Sequence, residues 1–314
     1  MSKFKIVTQR LDAGESVFFA RQLEYIFTEV INVEYPELKA RTLIPINTQV
    51  PSGASSFTYR IFDRVGWAKI IANYAEDLPR IDILGKEETA KVHVIGDSFG
   101  YTVQDIKRAQ LTGVSLEQEK AAAAREAALR TENSAAMIGD SRYNMAGLLN
   151  HANMTLVTLL ADGTGTSKHF DTKTADQLVR DVEALINAPS EATEDIENPD
   201  TVGFSIRAYN ILKAKKIGID SGMTVLKFLK ENNPGVNFVK IRELKNLGDS
   251  GTTDRMIAYR RDPSRLVMFI PQDFTMLPPQ EEGLGFVVNC YQEFGGVCVK
   301  RPASIAYADG IMAD

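Results

Sequence analysis

Apolar and polar positions change rhythm several times along this chain, and each change predicts an element. Between residues 14 and 33, Phe19, Leu23, Ile26, Phe27 and Val30 recur at three- and four-residue steps, the stripe of an amphipathic helix. Pro36, Pro45 and Pro51 then break regularity. From Ser55 to Phe62 the period drops to two, with Phe57, Tyr59 and Ile61 set against Ser56, Thr58 and Arg60, which predicts a half-buried strand. A returning strand is expected over roughly Thr89 to Ile95. The residues between hold Trp67, Ile70, Ile71, Tyr74, Leu78, Ile81, Ile83 and Leu84 in mixed charge. An excursion of about 25 residues between paired strands is uncommon in a compact domain and points to a binding or contact role. It reads as an arm that lies on a neighbouring subunit, with a plain surface excursion carrying some local helix as the alternative.

The stretch from Lys91 to Asn150 is the most informative. An extended run, Lys91-Val92-His93-Val94-Ile95, passes into a short helix and then into a long alanine-rich helix over 115–138. Ser115 and Gln118 match a capping box, and Glu117 and Glu119 sit near the positive end of the helix dipole. Alanine and the long charged residues of the interior are strong helix formers. At 1.5 Å per residue the rod spans about 35 Å. Ala121, Ala124, Ala128 and Ala135 lie near one another, and side chains that small let a sheet or a second backbone come close. A surface helix is the alternative. Gly139-Asp140 and then Gly147-Leu148-Leu149-Asn150 follow as a stop and a turn.

Residues 154–283 read as an α/β unit. Helices are expected at 175–187, 206–215 and 224–232, and strands at 201–204, 236–242, 255–259 and 266–270. Ser190 to Asp200, acidic and proline-bearing, is expected to be a flexible connector. The tail over 285–312 is expected to form a strand hairpin turning at Gly295-Gly296. No internal repeat is visible.

Composition changes this picture little. The chain has 314 residues, 44% apolar and 25% charged, with a net charge of −5. That size suits one large domain or two, and the mild acidity argues against a surface that grips nucleic acid through many phosphates. Two cysteines, Cys290 and Cys298, give no disulfide framework, so a reducing compartment is expected and both are read as strand residues. The N-terminus has no secretory pattern, and no apolar run is long enough to span a membrane.

Candidate chemistry is sparse. Gly96-Asp97-Ser98-Phe99-Gly100 fits the nucleophile-elbow pattern. A serine hydrolase using Ser98 needs an acid and then a histidine downstream, and only His151 and His169 follow. The bend of a strand leaving its layer is the preferred reading. Gly163-Thr164-Gly165-Thr166-Ser167-Lys168 is not a Walker pattern and reads as a turn. The three histidines have no ligand spacing, so no metal, cofactor or catalytic residue is expected.

The order of elements resembles the major capsid protein of tailed phages, the Hong Kong ninety-seven fold, most specifically over Thr89 to Asn150 and in order and texture over about Ser16 to Ile311. The resemblance implies an α+β fold with an N-terminal arm over 1–50 and an extended loop over 51–100. It implies a peripheral domain over 101–150 and 284–314 with a spine helix at 115–138, and an axial domain over 151–283. It implies a structural, non-enzymatic protein that self-assembles into hexamers and pentamers of an icosahedral shell enclosing double-stranded DNA. Its place would be the virion, and the host cytoplasm during assembly. Scaffolding, portal and possible decoration proteins would be its partners, with DNA contacted non-specifically and no membrane. Phe18, Phe19, Phe27, Trp67, Ile70, Ile71 and Tyr74 are the inter-subunit contact candidates. Burying such a side chain against a neighbour would contribute about 1.5–3 kcal/mol before entropic costs. The founding member carries a long N-terminal scaffolding segment, whereas the arm is expected to begin almost at once here, so a separate scaffold or none is expected. It also cross-links a loop lysine; Lys69 and Lys86 lie in or near the loop here, but no cross-link is expected. An encapsulin nanocompartment shell, which has the same fold around a protein cargo, is the alternative, and the Ser98 hydrolase a distant one.

Overall fold

The computed structural model describes residues 36–66, 80–112, 116–218, 222–249 and 251–313. After a short helix α1 (Ala40–Leu43) and strand β1 (Ile46–Asn47), strands β2 (Ser56–Val65) and β3 (Asp82–Lys91) form a two-stranded ribbon. Strand β4 (His93–Thr102) runs directly into helices α2 (Val103–Thr112) and α3 (Leu116–Met137). A small hairpin, β5 (Gly139–Asp140) and β6 (Met145–Ala146), closes that segment. Strand β7 (Thr155–Leu156) leads to helix α4 (Ala175–Ala192), strand β8 (Thr201–Phe204), helices α5 (Ile206–Ala214) and α6 (Val225–Asn232), and strand β9 (Asn237–Lys240). The remainder is extended: β10 (Thr253–Tyr259), β11 (Leu266–Phe269), β12 (Gln272–Met276), β13 (Gln280–Glu282), β14 (Gly285–Phe294), β15 (Val297–Val299) and β16 (Ile305–Ala313).

The α/β part is built on a five-stranded sheet of order β7-β16-β10-β8-β9. Every residue of β8 is buried, and so are Asp254 to Tyr259 of β10, the continuous pattern of strands covered on both faces. Helices α4, α5 and α6 start where their caps dictate. Thr174 and Gln177 form a reciprocal capping box, Ser205 accepts from the Ala208 amide, and Thr224 accepts from the Lys227 amide. Leu178, Val182 and Leu185 of α4, Leu212 of α5 and Leu229 of α6 close one core with Phe170, Phe204 and Phe238. A second core joins Leu43 and Ile44, the end of α3 at Ala136 and Met137, Leu148, Leu149, Tyr259, Met268, Phe294 and Ile305.

Three expectations need correction. Helix α4 continues past Asn187 through a buried Pro189, and the expected connector over 190–200 is anchored. Glu197, buried, accepts from Arg265 at 3.0 Å and from Arg301 at 3.1 Å. The ribbon ends at Lys91, so the expected excursion over 51–100 loses its last strand. Val92 breaks the run, and β4 pairs along its whole length with β14, from His93 opposite Phe294 to Thr102 opposite Gly285. The expected tail hairpin does not form. Gly296, at φ +78°, turns the chain away from β14, and β15 pairs instead with β11. Strand β16 lies antiparallel to β10 in the five-stranded sheet, from Arg255 opposite Asp309 to Tyr259 opposite Ile305. The stretch expected to return to the peripheral part over 284–314 thus divides among three sheets.

Candidate assembly surfaces

The β2–β3 ribbon is the clearest unpartnered element. Its register is fixed by cross-strand pairs: Thr58 and Thr89 hydroxyls lie 2.9 Å apart, Tyr59 donates to Glu88 at 2.5 Å, and Arg60 to Glu87 at 2.7 Å. No third strand pairs with it among the described residues. Phe62, Ile81, Ile83 and Leu84 are 58–70% exposed, so apolar surface is left for something else to cover. A two-stranded ribbon is marginal in water unless it packs on a body.

Its root supplies that packing. The Phe57 ring lies 4.2 Å from that of Phe269, within a cluster formed by Val267, Phe269 and Cys298 with Val50, Tyr59 and Ala90 around them. The Gly53 amide donates to both oxygens of Glu293 at 3.0 and 3.1 Å, and the Val92 amide to the Ser55 carbonyl at 3.0 Å. Gly295 is required here, since a Cβ at this position would sit 2.9 Å from the Phe57 ring and 3.0 Å from the Phe269 Cβ. Burial pushes the Cys298 thiol up to about 11, so it remains a protonated packing group. Burial also raises the Tyr59 phenol, helped by the Glu88 carboxylate it binds. A cleft of about 250 Å³ separates the root from the body, lined by Thr89, His93, Tyr143, Met145, Gly296 and Cys298 among others.

A second anchor holds the entry of the chain into α1. Arg41 grips Glu132 of α3 with two bonds of 2.7 Å and reaches Asp273 of β12 at 2.7 Å. Glu132 is almost wholly buried and takes a further bond from the Gln292 amide of β14. Its neighbour Asn133 accepts from the Ala40 amide and donates to Glu243, both at 2.9 Å. Glu132 and Asp273 hold the Arg41 guanidinium above its ordinary pKa, and Arg41 in turn holds Asp273 below its own.

Helix α3 lies on the β4–β14 ladder through its small residues. Ala124, Ala128 and Ala135 are buried, and Ala124 packs on Val288 and Cys290. The proposed capping residue Ser115 lies outside the described residues. After α3, Gly139 and Gly147 make a turn that no side chain would fit: a Cβ on Gly139 would lie 2.3 Å from the Met145 carbonyl oxygen, and one on Gly147 2.4 Å from that of Met137.

The strand-to-helix elbow expected of a Ser98 nucleophile is not formed. Gly96 to Gly100 lies inside β4, with Gly96 opposite Tyr291, Ser98 opposite Asn289 and Gly100 opposite Val287, and the Ser98 side chain is exposed. His151 binds the Ala152 carbonyl, and His169 meets the Gly310 carbonyl at 3.1 Å. Neither serves Ser98. Gly163-Thr164-Gly165-Thr166-Ser167 is a turn closed by a bridge between Gly163 and Ser167. No group of three metal-ligating side chains occurs among the described residues, and none of the described helices is long and apolar enough to cross a membrane.

The contact candidates Phe18, Phe19, Phe27, Trp67, Ile70, Ile71 and Tyr74 lie outside the described residues. The exposed Phe62, Ile81, Ile83 and Leu84 were not singled out from the sequence as contacts. The signal was present in the Ile81-Asp82-Ile83-Leu84 run, which sets three large apolar residues at the start of a polar strand.

Known proteins share this fold. Residues 66–311 match the family described as Major capsid protein. Among solved structures, the capsid of Myoviridae phage XM1 superposes with a TM-score of 0.81 at 22% identity, covering 95% of this chain and 100% of that one. Mycobacterium phage Adephagia gives 0.63 at 13% identity, covering 94% and 97%. A virus-like particle from Pyrococcus furiosus gives 0.52 at 15% identity, covering 85% and 90%. No curated protein matches the sequence.

Proposed function

This chain belongs to the major capsid protein family, and from that premise we propose how it builds a shell. The protein is a structural capsid protein of a phage virion and not an enzyme. It assembles with copies of itself into the hexamers and pentamers of an icosahedral shell around double-stranded DNA. The N-terminal arm over 1–50 and the β2–β3 ribbon lie on neighbouring subunits, helix α3 is the spine of a peripheral domain, and the five-stranded α/β part is the axial domain. The contact candidates Phe18, Phe19, Phe27, Trp67, Ile70, Ile71 and Tyr74 are proposed to be buried there, together with Phe62, Ile83 and Leu84. Scaffolding, portal and decoration proteins are the further partners this role calls for, and DNA is contacted without sequence preference.

One observation carries the reading: a ribbon socketed at its root by Phe57, Gly53 and Gly295 yet bare and apolar along its outer half. A partner that presents the same surface many times over is another copy of the chain, and repeated weak contacts then close by symmetry. Removing residues 64–84 tests it. Folded, soluble subunits that form no particles in electron micrographs are expected, and normal shells from that deletion would overturn the locking role. An encapsulin-like role is not favoured, because the matched family is that of capsid proteins.

A further inference from the structure

Beneath α3, one acidic side chain breaks the logic of the seam. Odd-numbered residues of β4 face inward, and Phe99 and Tyr101 pack there with Ala124, Val288 and Cys290. Asp97 falls on the same face, directly opposite Cys290. Both of its carboxylate oxygens are shielded from water, and neither has a partner at ordinary hydrogen-bond distance, although the Cys290 thiol opposite is near enough to lower its pKa. A charged carboxylate left this way is costly, and the cost falls when it takes up a proton.

The groups packed around it offset its burial only in part: the Cys290 thiol and the Asp97 backbone amide lower the pKa, and burial outweighs both. From β14 it faces the Cys290 thiol, with Val288 and Gln292 on either side. From α3, Ala124 and Ala128 fill the seam, Lys120 donates to the Gly100 carbonyl at 2.7 Å, Arg125 is exposed, and Glu132 is held by Arg41 and Gln292. From β12, Asp273 is tied to Arg41. From α2, Asp105 accepts from the Thr102 amide at its own N-terminus. The Gln292 Oε1 is likewise buried with no donor. It sits on the diagonal neighbour of Asp97, about 7–8 Å away by backbone, and a neutral carboxyl carries the O–H that such an acceptor lacks.

We propose that Asp97 is a proton-operated latch between helix α3 and the β4–β14 ladder: neutral, it lets the helix seat on the sheet, and ionised, it loosens that seam. The inference concerns the subunit itself and does not depend on the assembly reading. Burial raises the Asp97 pKa, against the Cys290 thiol that lowers it, and burial with the Asp97 charge raises that of the Cys290 thiol, so both groups favour the neutral state. The sign follows. A carboxyl whose folded pKa is raised penalises the fold above that pKa, and the penalty is lifted as pH falls through it towards the ordinary carboxylate range. Asp162, Asp262 and Asp273, held low by their partners, act in the opposite direction, so the comparison must be made against a variant of Asp97 alone.

The test is hydrogen exchange of the full-length protein between pH 5 and pH 8, corrected for the intrinsic pH dependence of exchange. In Asp97→Asn, which cannot ionise, residues 118–130 should be better protected than in the parent at pH 8, with the gap closing towards pH 5. A gap that does not change with pH, or a variant less protected at pH 8, would overturn the latch. Should that variant not fold, the parent alone decides. Protection of α3 relative to α4, which packs in the other core, should fall as pH rises, and a constant ratio would overturn the proposal.

Discussion

The five-stranded α/β part and the β2–β3 ribbon use their apolar side chains in opposite ways. In the first, Phe170, Phe204, Leu212 and Leu229 are wholly buried, and the sheet is covered by three helices of the same chain. In the second, Phe62, Ile81, Ile83 and Leu84 stand in solvent, and only the root around Phe57 and Phe269 is packed. The first region completes its core alone. The second leaves apolar side chains exposed. On the proposed role of the ribbon, stability and assembly are separable, and substitutions should sort by region.

The largest effect is expected in the self-sufficient part. Phe204→Ala empties a fully buried site stacked on Phe238 and should cost about 3–5 kcal/mol, seen as a large loss of melting temperature and of soluble protein. Next comes the anchor of α1 on α3 and β12. Arg41→Ala strips buried Glu132 of its cation and should cost about 2–3 kcal/mol in chemical denaturation, while Arg41→Lys, which cannot make the two-pronged contact, should recover only part. At the ribbon root, Gly295→Ala drives a methyl against the Phe57 ring and should cost about 1–2 kcal/mol, with exchange rising first over 56–62. The smallest effect on stability belongs to the bare half of the ribbon. Phe62→Ser with Leu84→Ser should stay within about 0.5 kcal/mol of the parent. A destabilisation there as large as that of Phe204→Ala would erase the contrast.

The sequence made the self-sufficient region far more legible than the ribbon. Helices at α4, α5 and α6 and strands at β8 to β11 were readable because apolar positions at helical spacing and short apolar runs are local signals. The alanine-rich α3 was readable for the same reason, and the burial of Ala124, Ala128 and Ala135 accords with their small size. Strand β4 was read short because Gly96 and Gly100 look like breaks. They are tolerated because both fall on the outward face of a strand held along its length by β14. Strand β16 was misplaced because its partner β10 is distant in sequence, and nothing in the Gly295-Gly296 turn reveals which sheet the chain joins next. The unpartnered carboxyl of Asp97 was hidden inside a motif that drew attention to Ser98. Only the register with Cys290 shows which of the two faces inward.

The most direct test of the central claim is particle formation by the Phe62→Ser, Leu84→Ser protein, followed by sedimentation and negative-stain imaging beside its melting curve. Subunits that melt like the parent but sediment without particles are predicted. Intact shells from the same protein would show that the bare half of the ribbon is not what joins one subunit to the next.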